Sequence, residues 1–283
     1  MRKNYTPHAW ESVDCPFCNS NKSNLHEKFG PKLQYTFVKC LDCKLIYQTP
    51  RPKYDETFLK DAYEVYEGYI PDYVFSEKSL NSWDKELKEI LRFDKKRTAI
   101  LDIGSCMGDF LKVSQKYYNN CVGIDVAENM AKYVESQLQL NVYVGSYVDI
   151  NFNEKFSCVH MSHVIEHIPN PKEWLLKTKQ ILDDQGILAL SVPNANSLPR
   201  RFRLFLKKIG LMNDNWKNSS RTPDHLFEPT IPSILRFISD NGYKVLEYYT
   251  YSRRDMAAST IFDKIYNRKF KLGSNLRFFL TPN

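Results

Sequence analysis

From Thr98 onward, short apolar runs alternate with amphipathic stretches, and no other feature of the 283-residue sequence restricts the fold as much. Short apolar runs bounded by turn residues fit strands buried on both faces. Strands that alternate with helices form a parallel sheet, because each parallel connection must cross over the sheet. The expected strands are 98–103, 121–125, 141–144, 156–162, 186–192 and 244–249, and the expected helices fill 108–118, 127–138, 172–183 and 230–241. Helix 172–183 follows Pro171, and Trp174, Leu175, Thr178 and Leu182 share one of its faces. Residues 198–209 read as an amphipathic helix carrying basic side chains and ended by Gly210. Residues 211–229 read as an irregular excursion near a site, and 272–280 as a closing strand. The expected fold class is α/β, a doubly wound, mostly parallel sheet with helices on both faces.

The segment Ile100-Leu101-Asp102-Ile103-Gly104-Ser105-Cys106-Met107-Gly108-Asp109-Phe110 carries the centre of the functional reading. An apolar strand meets an acidic residue, small residues follow, and an amphipathic helix begins. Glycines at such a turn let a ligand approach the main chain. Cys106 stands where a third glycine is usual. Asp125 ends the next strand 21 residues after Gly104. A carboxylate there can accept both ribose hydroxyls of a nucleoside cofactor, and it can also cap the helix that starts at Val126-Ala127-Glu128.

Residues 1–52 differ in texture, being turn-rich and cysteine-bearing, and end in the stiff Pro50-Arg51-Pro52. Cys15-Pro16-Phe17-Cys18 and Cys40-Leu41-Asp42-Cys43 are two Cys-x-x-Cys pairs separated by 21 residues. A two-residue gap lets both thiolates of a pair face one ion from a tight turn, and two such pairs predict a zinc ribbon. A four-cysteine site is coordinatively closed, so it is expected to be structural, and it would supply much of the segment's folding energy. His8 and His26 are alternative ligands or plain surface residues. Residues 53–95 read as one or two linking helices or a lid, and 96–283 as the main domain.

Two further segments narrow the cofactor. Ser162-His163-Val164-Ile165-Glu166-His167-Ile168-Pro169-Asn170-Pro171 follows the fourth strand, and Ser191-Val192-Pro193-Asn194-Ala195-Asn196-Ser197 follows the fifth. Over residues 98–250 the chain resembles the class I S-adenosylmethionine-dependent methyltransferases, which have a Rossmann-like fold. Its front end, through Cys43-Lys44-Leu45-Ile46-Tyr47-Gln48-Thr49-Pro50, is similar to the zinc-binding segment preceding some sugar and small-molecule methyltransferases. The resemblance implies that Asp102 and Gly104 cradle the methionine part of S-adenosylmethionine, helped by backbone around Ser105, Cys106 and Gly108. It implies that Asp125 holds the ribose, that Val126 or Met130 touches adenine, and that His163 lies near the methionyl end. Relatives often carry an Asp after the third strand for the adenine amine; here Gly145-Ser146-Tyr147 stands there, leaving the contact to Ser146 or main chain.

Methyl transfer to oxygen or to an acidic carbon also needs a base. The candidates are His163, Glu166, His167 and His225. His225, in Pro223-Asp224-His225-Leu226-Phe227-Glu228-Pro229, is favoured because that segment resembles the acceptor-side loop of relatives acting on sugars, with Asp224 where many have Glu. Glu166 and His167 also read as structural groups holding a turn. Tyr63, Tyr66, Tyr69, Tyr73 and Trp83 read either as a cover over the cofactor or as plain packing.

The net charge of +7 falls largely in the last third, but its basic residues are scattered, which suits a solvated surface or a small phosphorylated acceptor better than nucleic acid. No apolar run is long enough to span a bilayer, and Met1-Arg2-Lys3-Asn4-Tyr5 leads into no apolar secretion core; with unpaired Cys-x-x-Cys motifs, a cytoplasmic setting is expected. The expected function is methyl transfer to a small-molecule or nucleotide-sugar acceptor, O- or C-directed. The alternatives are an RNA or protein methyltransferase, or a catalytically degenerate binding module. A dehydrogenase is disfavoured, because Gly-x-Gly-x-x-Gly is absent.

Overall fold

A computed structural model describes residues 9–30, 33–55, 73–212, 224–252 and 264–283. His8, Tyr63, Tyr66 and Tyr69 lie outside the described residues.

The front end comprises β1 (Trp10–Glu11), β2 (Ser23–Phe29), β3 (Tyr35–Cys40), β4 (Ile46–Gln48) and β5 (Arg51–Pro52). β2, β3 and β4 form an antiparallel meander, and the second cysteine pair closes the turn from β3 to β4. β1 pairs with β5, reinforced by Arg51 Nε donating to Glu11 at 2.7 Å, so the segment enters and leaves at one place.

The main domain begins with α1 (Glu77–Ile90), capped by Ser76, whose hydroxyl accepts from the backbone N–H of Ser79 at 3.1 Å. It continues through β6 (Ala99–Ile103), α2 (Asp109–Ser114), β7 (Asn120–Asp125), α3 (Glu128–Leu138), β8 (Asn141–Val144), β9 (Phe156–Ser162), α4 (Pro171–Ile181), β10 (Leu182–Pro193), α5 (Leu198–Lys208), β11 (Phe227–Glu228), α6 (Ile231–Asp240), β12 (Tyr243–Tyr251) and β13 (Asn275–Pro282). Seven strands form one sheet in the order β12-β13-β10-β9-β6-β7-β8. Neighbours are parallel except around β13, which runs antiparallel to both β10 and β12. The chain moves outward from β6 to β8 and then returns to β9 on the other side of β6. That reversal opens a crevice above the carboxyl ends of β6 and β9, where ligands bind in open α/β sheets.

Strand alternation divides the core. Leu101, Ile103, Val122, Ile124, Val159 and Met161 face the side covered by α4 and α6. Ile100, Cys121, Cys158, Ile187 and Ala189 face α1, α2 and α3. The front end shares the first of these cores: Cys15, Val38, Leu45 and Tyr47 pack into it, and Phe17 stacks on Phe237 of α6 with ring centroids 3.9 Å apart.

Two elements differ from expectation in length. α2 stops at Ser114, where i→i+3 turns through Tyr117 redirect the chain into β7. β10 begins at Leu182, directly after α4, and pairs with Phe156 before an irregularity ahead of Ile187. Gly186 lies in that irregularity, with the carbonyl of Phe156 only 3.0 Å from where a Cβ would stand. Among the described residues, no helix is long and apolar enough to cross a membrane.

Candidate active site

The glycine loop emerges from β6 into the crevice. The N–H groups of Gly104 and Ser105 both donate to the carbonyl of Ile124, at 2.8 and 3.0 Å, which draws the loop across the end of β7. Gly104 has φ +77°, and a Cβ there would stand 2.6 Å from Val164 Cγ2. Cys106 adopts φ +49° and Gly108 φ +79°. The position where glycine is usual is therefore left-handed, and Cys106 takes up that conformation itself, at a cost of about 1–2 kcal/mol. Asp125 ties the loop down: its carboxylate accepts from the N–H of Cys106 at 2.8 Å and from that of Ala127 at 2.9 Å. Burial raises the Asp125 pKa above the usual carboxylate value, and the two N–H bonds oppose that rise. The capping contacts leave acceptor capacity on the carboxylate unused.

A buried ionic chain lies beneath the loop. Asp102, on β6, faces His160 Nδ1 of β9 at 2.7 Å, and His160 Nε2 faces Glu86 of α1 at 3.3 Å. Glu86 pairs with Arg277 of β13 at 2.5 Å, and Arg277 donates to Ser191 at 3.2 Å. Burial alone depresses the His160 pKa, but the Asp102 and Glu86 carboxylates outweigh it and raise the pKa to about 9. His160 thus sits between two carboxylates that favour its charged form. Sequence reasoning singled out Asp102 and missed Glu86, His160 and Arg277. The available signal was a charged side chain inside an apolar strand, Cys158-Val159-His160-Met161 and Leu276-Arg277-Phe278. Trp83 stands edge-on to His160 and Phe110, so it packs in this core and does not cover the crevice. Tyr73 donates its hydroxyl to Asp109 at the start of α2, beside the glycine loop.

On the other side of the crevice the four acceptor-side candidates converge. His163 follows β9 with φ +57°. Its Nδ1 meets Glu166 at 3.1 Å and its Nε2 meets the Tyr251 hydroxyl at 3.0 Å. Tyr251 was not anticipated, because it lies 88 positions away at the end of β12. His167 Nδ1 donates to the backbone carbonyl of Asp224 at 2.9 Å, and His225 Nδ1 meets Glu228 at 3.2 Å. The rings of His167 and His225 are 4.9 Å apart and nearly perpendicular. Glu228 is fully buried and receives both terminal nitrogens of Arg200 from α5. The loop bearing His225 is fixed at both ends: Leu226 N–H donates to the Glu166 carbonyl at 2.8 Å, and β11 pairs with β4 of the front end. Asn194 has a different task. Its amide donates to the Gly273 carbonyl at 2.8 Å and ties the end of β10 to the approach of β13.

A profile of methyltransferase domains matches residues 72–248, a span holding the glycine loop, Asp125, His163 and the His225 loop. The chain belongs to the methyltransferase-domain family. An uncharacterised protein of Methanocaldococcus jannaschii is 23% identical over 166 residues, 58% of this methyltransferase and 69% of that protein. A structure described as an S-adenosylmethionine-dependent methyltransferase of Clostridium acetobutylicum superposes with a TM-score of 0.53 at 10% identity, covering 81% of this chain and all of the other. The magnesium protoporphyrin IX methyltransferase of Synechocystis PCC 6803, solved with SAH bound, gives 0.53 at 15% identity with the same coverage.

The remaining cofactor candidates lie in and beside the segments that follow β7 and β8. Val126 follows Asp125, Met130 is buried in the first turns of α3, and Ser146 opens the turn after β8. In the front end, Cys15, Cys18, Cys40 and Cys43 bring their sulfurs within 4.8 Å of one another. The Cys15–Cys43 and Cys18–Cys40 separations are 3.4 and 3.6 Å. These are far too long for disulfides and close to the ~3.8 Å edge of a tetrahedron with Zn–S bonds of about 2.3 Å. A hydrogen bond from Cys15 holds the Cys43 thiol down, to about 5, against the opposing effect of burial. A recess of about 1170 Å³ lies between this cluster and α4 and is lined by none of the candidate catalytic residues.

Proposed function

We propose that this methyltransferase takes its methyl group from S-adenosylmethionine and delivers it to a hydroxyl oxygen or acidic carbon of a small acceptor, with a nucleotide-linked sugar as the best-fitting class. The bound cofactor supplies an electrophilic methyl group on a sulfonium that is a good leaving centre. The chain supplies alignment, exclusion of water and loss of the acceptor's proton. The left-handed turns at Gly104, Cys106 and Gly108 leave bare main chain facing the crevice, and a side chain at Gly104 would collide with Val164. Asp125 offers its spare lone pairs to the ribose, and Asp102, hydrogen-bonded to His160 beneath the loop, suits the amino group of the methionine moiety.

The observation that carries the acceptor reading is the His225 tautomer. With Nδ1 donating to the buried Glu228 carboxylate, the neutral ring presents its lone pair at Nε2. Loss of the acceptor's proton depends on His225, with His163, Glu166 and His167 positioned around it. Arg201 and Lys208, both exposed on α5, offer counter-charge for a diphosphate, and Arg200 joins that helix to Glu228. In this reading the four cysteines hold a structural zinc ion whose role is to brace β4, and through β11 the His225 loop.

Calorimetric titration of zinc-replete protein with S-adenosylmethionine, beside Asp125→Ala, tests the cofactor reading. Saturable binding that collapses in the variant is expected. Folded protein that binds no cofactor, with or without nucleotide-sugars present, overturns it. Transfer of labelled methyl to nucleotide-sugars, absent with RNA or protein acceptors, tests the acceptor class.

A further inference from the structure

Glu166, His167 and His225 each bring one ligand-capable atom to a common point, all within 4.8 Å of one another. The hydrogen bonds around them bear on which atoms can act as ligands. A backbone carbonyl can only accept, so His167 Nδ1, 2.9 Å from the Asp224 carbonyl, must carry the proton of a neutral ring. The lone pair is then at Nε2. The ionised Glu228, anchored by Arg200, imposes the same tautomer on His225. Glu166 is fully buried; its Oε1 accepts from His163, while its Oε2 is buried with no hydrogen-bond partner among the described residues. Leaving a buried carboxylate oxygen unmatched is costly. Two imidazoles and a buried carboxylate with one unmatched oxygen thus come together at one place.

We infer that Glu166, His167 and His225 form a second metal site, distinct from the cysteine cluster, that holds a divalent cation of the zinc, cobalt or manganese type. Two imidazoles and a carboxylate are a ligand set for such ions, and each imidazole here already has the partner on its other nitrogen that metal-binding histidines require. The anchors are an Asp224 carbonyl for one ring and a carboxylate for the other. Three protein ligands leave coordination positions open, unlike four cysteines, so this site can take an oxygen of the acceptor. With a cation bound, His225 Nε2 would be a ligand and no longer a free base, and the acceptor hydroxyl would instead be made more acidic by the ion, as zinc lowers the pKa of bound water to about 7. The assignment of the acceptor side rests on the proposed function; the metal site itself does not.

The test uses whole protein, brought by a mild chelator to one zinc per chain and then titrated with Co²⁺ alone. One further equivalent is expected, with visible d–d absorption and without the near-ultraviolet sulfur charge transfer that a thiolate site produces. Glu166→Gln and His167→Ala should each weaken that equivalent at least 10-fold and leave the zinc content of the cysteine cluster at one. Wild-type protein that takes up no further Co²⁺ overturns the proposal without recourse to any variant. So does a second equivalent that shows sulfur charge transfer or that both variants retain at wild-type affinity. S-adenosylmethionine affinity, measured on the same one-zinc preparation, separates the two readings: intact cofactor binding by protein that takes up no further Co²⁺ overturns only this inference.

Discussion

The two walls of the crevice are built on different principles. The proposed cofactor wall is made of consecutive residues, Gly104 to Gly108, and of backbone geometry: three left-handed turns and two N–H groups gathered on the Ile124 carbonyl. The proposed acceptor wall is made of side chains from separate segments, namely His163, Glu166 and His167 after β9, His225 and Glu228 before α6, Tyr251 on β12 and Arg200 on α5. It also depends on the front end, because β4 is the strand against which β11 is registered. A wall of main chain tolerates drift in most side chains. A wall of distant side chains fails when any one support moves.

That difference gives experiments of graded size. His225→Gln should lower kcat by about 10²–10⁴-fold while S-adenosylmethionine affinity stays within a few-fold, because only the acceptor wall is touched. Equal losses in both, read from single-turnover rates and calorimetry, would break the division. Withholding zinc from the proposed four-cysteine site comes next. Loosening β4 displaces the His225 loop, and misplacement by about 1 Å costs on the order of 100-fold in rate. Restored activity on adding zinc back, with cofactor affinity constant throughout, would show that the front end serves the acceptor wall alone.

Asp125→Ala attacks the other wall. Losing charged hydrogen bonds of about 1.5–3 kcal/mol should weaken cofactor binding roughly 10- to 100-fold. Acceptor KM, measured at saturating cofactor, should move little.

The ionic chain beneath the loop gives a pH signature. The folded pKa of His160, about 9, lies above its ordinary value of 6.5. Its contribution to stability is therefore complete below about pH 6.5 and lost as the pH rises through about 9, amounting to some 3 kcal/mol by linkage. Denaturant unfolding across that window should show the decline in wild type and a flatter profile in His160→Gln. The smallest effect belongs to Cys106→Gly. Relief of a left-handed residue, set against the extra flexibility of glycine in the unfolded chain, should stabilise by about 1 kcal/mol or less.

The glycine loop was legible because its instructions are local. Glycine and aspartate spacing encodes the turn, and strand alternation encodes the sheet; β8 and β9 appear with the bounds that the apolar runs imply. Strand ends that depend on packing were not legible. β10 starts at Leu182 because Phe156 is there to pair with it, and α2 stops early because β7 must begin at Asn120. The candidate acceptor residues could be named from resemblance, yet their partners could not. Nothing local to His163 points to Tyr251, and nothing local to Asp102 points to Glu86 or Arg277.

By itself, then, the amino-acid sequence determined the α/β pattern, the glycine turn with its carboxylate and the two cysteine pairs, all of which are set by neighbours along the chain. Only the tertiary structure decided that the front end shares the main core through Phe17 and Phe237, and that β11 completes its sheet. It alone oriented the two histidine rings, since the proton on each Nδ1 is dictated by an oxygen brought from elsewhere in the chain or held in place by Arg200. The physical reason is range: backbone propensity acts over a few residues, whereas a lone pair is aimed by whatever the fold places against the other side of the ring.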